Sequence, residues 1–188
     1  MNDVMQTWEG HDGVSFMKNI GIGLADIVVD FGCRVGHYSI PAALAVGPSG
    51  LVYALDKDQA SLDELVRKAR KHGLRNIKAT TVAGPLEVDI ESNSVDVVLL
   101  YDVLHYFTQS QRRKLIRQMY RILKPSGLLS VYPKHTAEDW PSEEFKNLHV
   151  SDVIREIQGC HFRPDGQHEA ILSHDDGLEH GCVLNFRK

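Results

Sequence analysis

A glycine loop follows a short apolar run near the start of the chain. The run Ile27–Phe31 contains Asp30, and Gly32 and Gly36 come after it. A glycine directly after a buried strand lets the backbone turn sharply and approach a ligand closely. The loop lacks the GxGxxG fingerprint of dinucleotide-binding proteins, because three residues separate its two glycines and no third glycine follows in register. Asp30 at its mouth would repel a phosphate and attract a ligand that carries an ammonium and a sulfonium group.

A second acid stands about 26 positions later, where another apolar run ends. Residues 51–55 form this run and Asp56 follows it. In an α/β fold, a carboxylate at this position binds the hydroxyls of a ribose. A ribose without a phosphate, joined to a cationic amino-acid end, describes S-adenosylmethionine. The two acids therefore predict S-adenosylmethionine as the cofactor, with S-adenosylhomocysteine as the product.

Strands that alternate with helices must position these side chains. Near-continuous apolar runs predict buried strands over residues 27–31, 51–55, 77–82, 95–100 and 128–132, with helices between them. Thr108 and Gln111 have capping-box spacing before one of these helices, and Pro125 would end it. Such alternation predicts a parallel sheet covered on both faces, with its ligand site at the carboxyl ends of strands one, two and four.

The C-terminal part of the chain breaks this alternation. A helix around residues 151–158 precedes two extended segments, 170–172 and 182–186, and the turn from His174 to Gly177 lies between them. A turn of this kind between two strands predicts a hairpin. One edge strand of the sheet is therefore expected to run antiparallel to the others.

Composition places the chain among ordinary globular domains. Its 188 residues are 43% hydrophobic and 24% charged, and we predict one domain over residues 1–188, with 1–20 as an N-terminal helical segment and 21–188 as the core. The net charge of −4 argues against a nucleic-acid partner. The chain lacks a signal-peptide pattern and an apolar run of the roughly 20 residues that span a bilayer, so we predict a cytoplasmic protein with no membrane partner. No pattern indicates the oligomeric state.

Four motifs in order resemble those of class I S-adenosylmethionine-dependent methyltransferases. They are the loop 30–36, Asp56 after its apolar run, the run 95–98 followed by 103–105, and the segment 120–127. The resemblance covers roughly residues 15–188. It implies a three-layer αβα, Rossmann-like sandwich, whose seven-stranded sheet is mostly parallel with an antiparallel C-terminal strand. It also implies methyl transfer, and we expect a small-molecule acceptor because the core fold leaves little chain for recognising a macromolecule.

The resemblance also assigns cofactor-binding residues. The loop 30–36 would frame the methionine end, Asp56 would bind the ribose, Lys57 and the segment 82–85 would lie beside the adenine, and Tyr101 and Asp102 would lie between cofactor and acceptor. The residues so implied are Asp30, Phe31, Gly32, Cys33, Arg34, Gly36, Asp56, Lys57, Ala83, Gly84, Tyr101 and Asp102.

Two positions depart from the family pattern. Arg34 replaces the middle glycine of the loop, which costs about 1 kcal/mol or more if the backbone there needs a positive φ. Alternatively, its guanidinium could pair with the carboxylate of the cofactor. Gly84 stands where the family often has an acid that contacts the adenine. These departures leave an alternative function open, namely a catalytically degenerate cofactor-binding module with a regulatory or partner-binding role.

Methyl transfer to an activated carbon relies mainly on proximity, so a fixed catalytic residue is not required. His105 is the candidate base, because it follows strand four and has an ordinary pKa near neutral; the alternative is a packing residue. Tyr101 either lines the acceptor site or packs in the core. Trp140 and Phe145 have the same two interpretations, as lid or core residues.

The remaining reactive residues favour structural roles. Cys33 has no partner placed to activate it, and packing under the loop is the favoured interpretation. His174 and His180 could approach each other across the hairpin, but no pair of histidines has the spacing that fixes two metal ligands on one helix, so no metal site is predicted. The basic run 67–72 is typical of the solvated end of a helix, where cations suit the dipole.

Overall fold

A computed structural model of the chain describes residues 3–82, 88–139, 143 and 145–188, and within these residues seven strands form one sheet. The strands are β1 (Ile27–Phe31), β2 (Leu51–Asp56), β3 (Ile77–Thr81), β4 (Val95–Tyr101), β5 (Leu123–Tyr132), β6 (Arg163–His174) and β7 (Gly177–Arg187). Their order is β3-β2-β1-β4-β5-β7-β6; β7 runs antiparallel to both β5 and β6, and the other adjacent pairs are parallel. The predicted fold class is confirmed.

Helices cover both faces of this sheet. They are α1 (Asp3–Thr7), a π-helical turn (Trp8–Asp12), α2 (Gly13–Asn19), α3 (Ser39–Val46), α4 (Gln59–Lys71), a 3-10 turn (Leu104–Tyr106), α5 (Gln109–Ile122) and α6 (Val150–Gln158). The capping box predicted at Thr108 and Gln111 is present at the start of α5. No described helix is long and apolar enough to cross a membrane.

The position of the antiparallel strand differs from the prediction. β7 lies between β5 and β6, so the strand at the edge is β6, which runs parallel to β5. The pattern of burial explains this order, because residues 183–186 of β7 are buried whereas residues 163–167 of β6 are exposed. The polar strand takes the edge, where its side chains face water and discourage pairing with another chain.

The N-terminal helices cover the loop that follows β1. Trp8 is buried, and its indole Nε1–H donates a hydrogen bond to the backbone carbonyl of His37 over 2.8 Å. Glu9, also buried, lies 2.6 Å from Lys68 Nζ on α4 and 2.8 Å from His37 Nδ1. Its charge is therefore compensated within the fold. These contacts hold the beginning of α3 and the glycine loop against the body of the sheet.

Candidate active site

A cavity of about 360 Å³ opens at the carboxyl ends of β1, β2 and β4. This is the edge of an open α/β sheet at which a ligand binds, and it is where the sequence predicts the site. The lining residues are Phe31, Gly32, Arg34, Leu55, Asp56, Lys57, Asp58, Ser61, Val82, Asp102, Val103, Tyr106 and Phe107. The structure therefore brings together in the cavity wall six of the residues proposed from the sequence: Phe31, Gly32, Arg34, Asp56, Lys57 and Asp102.

The two loop glycines allow neighbouring elements to approach closely. Gly32 and Gly36 have φ angles of +81° and +87°, which favour glycine. A Cβ on Gly32 would lie 2.7 Å from a methyl carbon of Val103, and a Cβ on Gly36 would lie 2.7 Å from Cγ of Leu65. The chain therefore needs glycine at both positions to pack this loop against the segment after β4 and against α4.

Asp56 is held with its carboxylate in a defined orientation. Its Oδ2 accepts a hydrogen bond of 2.8 Å from the backbone N–H of Arg34, and its Oδ1 accepts one of 2.9 Å from the backbone N–H of Asp58. A carboxylate oxygen has two lone pairs, so each retains the capacity to accept another hydrogen bond. The side chain lines the cavity at the end of β2.

Arg34 has the left-handed backbone conformation that favours glycine. Its φ is +46°, so the strain expected from the sequence is present at this position. Its guanidinium lies 3.1 Å from Asp175 Oδ1, in the turn between β6 and β7. Both side chains are more than half exposed, so the pair contributes little to stability. In this structure the guanidinium of Arg34 therefore contacts Asp175 and does not point into the cavity as a free cation.

Asp30 lies behind the loop rather than in the cavity wall. It is 2% exposed, and the hydroxyl of Ser39 donates a hydrogen bond of 2.5 Å to its Oδ2. Burial, with a smaller contribution from the charge of Asp56, raises the pKa of Asp30 to about 7.

Cys33 is buried as well, and burial raises the pKa of its thiol. A thiol that stays protonated is a poor nucleophile, which agrees with a packing role.

Asp102, the residue after β4, lies among three histidines. His174 Nδ1 is 2.8 Å from Asp102 Oδ2, and His135 Nε2 and His105 Nδ1 are 3.5 and 3.4 Å from Asp102 Oδ1. Burial raises the pKa of Asp102, and the nearby His174 and His135 oppose the rise. The sequence did not predict this group, because its members follow β4, follow β5 and end β6, and only the sheet brings them together.

The hairpin register explains why His174 does not lie beside His180, as the sequence suggested. His174 pairs with Gly177 next to the turn, whereas His180 pairs with Ile171 three positions further along β6. His174 and His180 are therefore not paired across the hairpin, and the contact that His174 makes is with Asp102.

Comparison with known proteins identifies the family. Residues 28–127 match a family model described as a methyltransferase domain. The chain belongs to the methyltransferase-domain family. A demethylmenaquinone methyltransferase of Lactobacillus johnsonii is 28% identical over 116 residues, which are 62% of this chain and 47% of that protein. The chain thus spans about half the length of the curated relatives it matches.

Solved structures agree with the fold. A SAM-dependent methyltransferase from Aquifex aeolicus superposes with a TM-score of 0.78 at 19% identity, covering 97% of this chain and 92% of that one. The [4+2]-cyclase SpnF superposes with a TM-score of 0.71 at 13% identity, covering 93% of this chain and 80% of that one. The predicted family is confirmed.

Tyr101 does not line the cavity of this member of the methyltransferase-domain family. Side chains alternate along a strand, and Tyr101 faces the core under the N-terminal helices, where it is 4% exposed. Its hydroxyl lies 2.7 Å from Ser130 Oγ, and its ring meets that of Tyr38 edge-on at 4.7 Å. These contacts favour the core interpretation of Tyr101 over a place beside the acceptor.

His105 differs from the expected base in its pKa. It lies in the 3-10 turn and is 8% exposed. Burial, together with the neighbouring His135 and His174, lowers the pKa of His105 to about 4. The ordinary pKa that made His105 attractive as a base is therefore not retained. A neutral imidazole with so low a pKa is a weak proton acceptor at pH 7.

Four further positions complete the comparison with the sequence. Ala83, Gly84 and Trp140 lie outside the described residues. Phe145 is fully buried in the core cluster, and the guanidinium of Arg112 lies 4.9 Å from its ring centre. Phe145 is therefore a core residue.

Arg34→Gly should change the affinity for S-adenosylmethionine by less than about threefold, because the surface ion pair with Asp175 is weak and the backbone already has a glycine-like φ. Calorimetric titration of both proteins checks this. Arg34→Ala is the matched control, since it removes the guanidinium but keeps a Cβ. Equal losses of tenfold or more in both variants would show instead that the guanidinium binds the cofactor.

Proposed function

We propose that this chain is an S-adenosylmethionine-dependent methyltransferase that acts on a small molecule. The observation that carries the proposal is the Asp56 carboxylate, oriented by two backbone N–H groups at the wall of a cavity beside the glycine loop. A carboxylate at the end of the second strand suits a ribose. Membership of the methyltransferase-domain family supplies the reaction class.

The charge of the cavity favours a cationic ligand. Asp56, Asp58 and Asp102 line it, whereas the cations at its wall are Arg34, paired with Asp175, and Lys57, whose Nζ lies 5.7 Å from the ring centre of Tyr106. Asp30, with the pKa raised to about 7, lies behind the loop and gains charge when a cation binds nearby. A sulfonium and an ammonium are attracted to such a site, and the phosphates of a dinucleotide are repelled.

Methyl transfer needs little from the protein beyond positioning. The acceptor atom attacks the methyl carbon in line, the bond from that carbon to sulfur breaks, and S-adenosylhomocysteine leaves. Holding the two reactants in this geometry supplies most of the rate enhancement. In this chain Asp56 would orient the cofactor, while Phe31, Val103 and Phe107 provide the apolar wall that excludes water.

The acceptor in this proposal is a small molecule, and the compartment is the cytoplasm. Relatives that the chain matches over 59% to 62% of its length are named for demethylmenaquinone, a small molecule, which supports an acceptor of that size. The cysteines Cys33, Cys160 and Cys182 are all free, as is usual in a reducing cytoplasm, where we place the protein.

The test is transfer of an isotopically labelled methyl group from S-adenosylmethionine to a cell extract, separated afterwards by ultrafiltration. We expect labelled small molecules in the filtrate and none with Asp56→Ala protein. Label confined to macromolecules would overturn the acceptor class. Cofactor binding without any transfer would favour a degenerate module, and the cyclase of similar fold shows that the fold alone does not fix the reaction.

A further inference from the structure

Three imidazoles gather around the carboxylate of Asp102, which lines the cavity. Asp102, His135 and His174 each offer a ligand atom, and these atoms all lie within 4.8 Å of one another. The ring centres of His135 and His174 are 5.2 Å apart, and those of His135 and His105 are 4.4 Å apart. The three imidazoles therefore surround one carboxylate, each with a ring nitrogen within 3.5 Å of a carboxylate oxygen of Asp102.

His105 supplies a second, independent observation. Its side chain is 8% exposed, and its Nδ1 is buried without a hydrogen-bond partner. The atom faces Asp102 Oδ1 at 3.4 Å, and that oxygen also lacks a hydrogen-bond partner. Leaving two buried polar atoms unsatisfied costs free energy. A cation bound to both atoms would remove this cost.

We propose that Asp102, His135 and His174 bind one divalent transition-metal ion, with His105 Nδ1 as a further ligand. Imidazole nitrogen suits Zn²⁺ and its first-row neighbours, whereas Mg²⁺ and Ca²⁺ prefer sites made of oxygen alone. Three nitrogens and one carboxylate oxygen match the donor set and the number of ligands that Zn²⁺ takes in proteins.

The cation nearest to these ligands in sequence, Lys134, is paired with other acids and does not occupy the place of a metal ion. Lys134, next to His135, is buried and lies 2.6 Å from Asp139 Oδ2 and 2.8 Å from Glu179 Oε1, so its charge is compensated elsewhere. These two ion pairs hold the segment after β5, which carries His135, against β7 whether or not an ion is bound.

The location suggests a use for the ion. Asp102 is both a ligand and part of the cavity wall, so the ion would lie beside the bound cofactor. There a fifth coordination position, which Zn²⁺ can open during a reaction, would bind an oxygen anion of the acceptor and favour its deprotonated form. This last role rests on the proposed function, whereas the metal site itself does not.

The experiment is a titration of untagged, chelator-treated protein with ZnCl₂, followed by calorimetry, and with CoCl₂, followed by visible absorbance. We expect one Zn²⁺ per chain and ligand-field bands from Co²⁺ that Zn²⁺ displaces. His135→Ala and His174→Ala should each weaken Zn²⁺ binding at least tenfold. His180→Ala, which removes an exposed histidine from the same hairpin, is the matched control and should bind as the wild type does.

Asp102→Asn keeps the shape of the ligand and guards against variants that fail to fold, which circular dichroism would reveal. It should also weaken Zn²⁺ binding at least tenfold. Absence of stoichiometric binding to the wild type, or equal binding by folded His135→Ala, His174→Ala and Asp102→Asn proteins, would overturn the metal site. A separate titration with S-adenosylmethionine, on metal-free protein, keeps this failure distinct from a failure of the proposed function.

Discussion

Asp56→Ala should weaken the binding of S-adenosylmethionine by about 100-fold or more. The substitution removes two acceptors for the ribose hydroxyls, and a hydrogen bond to a charged group contributes about 1.5–3 kcal/mol. Since about 1.4 kcal/mol corresponds to a factor of ten in affinity, two such bonds account for this loss. The substitution also removes the carboxylate that accepts hydrogen bonds from the backbone N–H groups of Arg34 and Asp58.

Calorimetric titration measures this loss, with Asp63→Ala as the matched control. Asp63 is an exposed acid on α4, so its removal changes the net charge equally but leaves the cavity intact. We expect the control to bind within about twofold of the wild type, as is usual for an exposed charge that makes no contact with the ligand. Near wild-type affinity in a folded Asp56→Ala protein would contradict the placement of the ribose.

Arg112→Met should lower the free energy of unfolding by about 3–5 kcal/mol, the cost of leaving a buried charge without its partner. Arg112 is 4% exposed and donates hydrogen bonds of 2.8 and 2.6 Å to the two carboxylate oxygens of Glu156, which is 7% exposed. Its Nη1 donates to the carbonyl of Phe107, a residue of the cavity wall, over 2.8 Å. The substitution therefore also loosens one side of the site.

Denaturant unfolding followed by circular dichroism checks this prediction. The double variant Arg112→Met/Glu156→Leu should recover most of the loss, because two apolar side chains can replace a buried pair at little cost. Lys146→Met breaks an exposed pair with Glu143 and should change stability by less than about 1 kcal/mol. A similarly small change in Arg112→Met would show that Glu156 finds another partner or is protonated.

Local patterns were sufficient to predict most of the sheet. β1, β2 and β4 are buried on both faces, and such strands produce the near-continuous apolar runs seen in the sequence. The pairing of β7 with β5 was not predictable in the same way, because pairing between strands distant in the chain leaves no periodic signal. The edge position of β6 did have a signal in the sequence, because residues 163–167 include Pro164 and charged side chains, which are typical of edge strands.

The same distinction holds for the site. The glycine loop and Asp56 were found because each directly follows a strand, so their place is a local property of the chain. The group around Asp102 depends on His135 and His174, which the sheet brings from separate strands. The lowered pKa of His105 arises from burial and from these neighbours, and no property of the residues next to it in sequence would indicate such a shift.

The most direct test of the central claim is a calorimetric titration of the purified chain with S-adenosylmethionine, S-adenosylhomocysteine and NADH. The acidic cavity, the oriented Asp56 and the absence of a dinucleotide fingerprint from the sequence predict micromolar binding of both sulfur ligands and no binding of NADH. Binding of NADH, or failure of both sulfur ligands to bind the folded protein, would contradict the cofactor assignment and with it the proposed function.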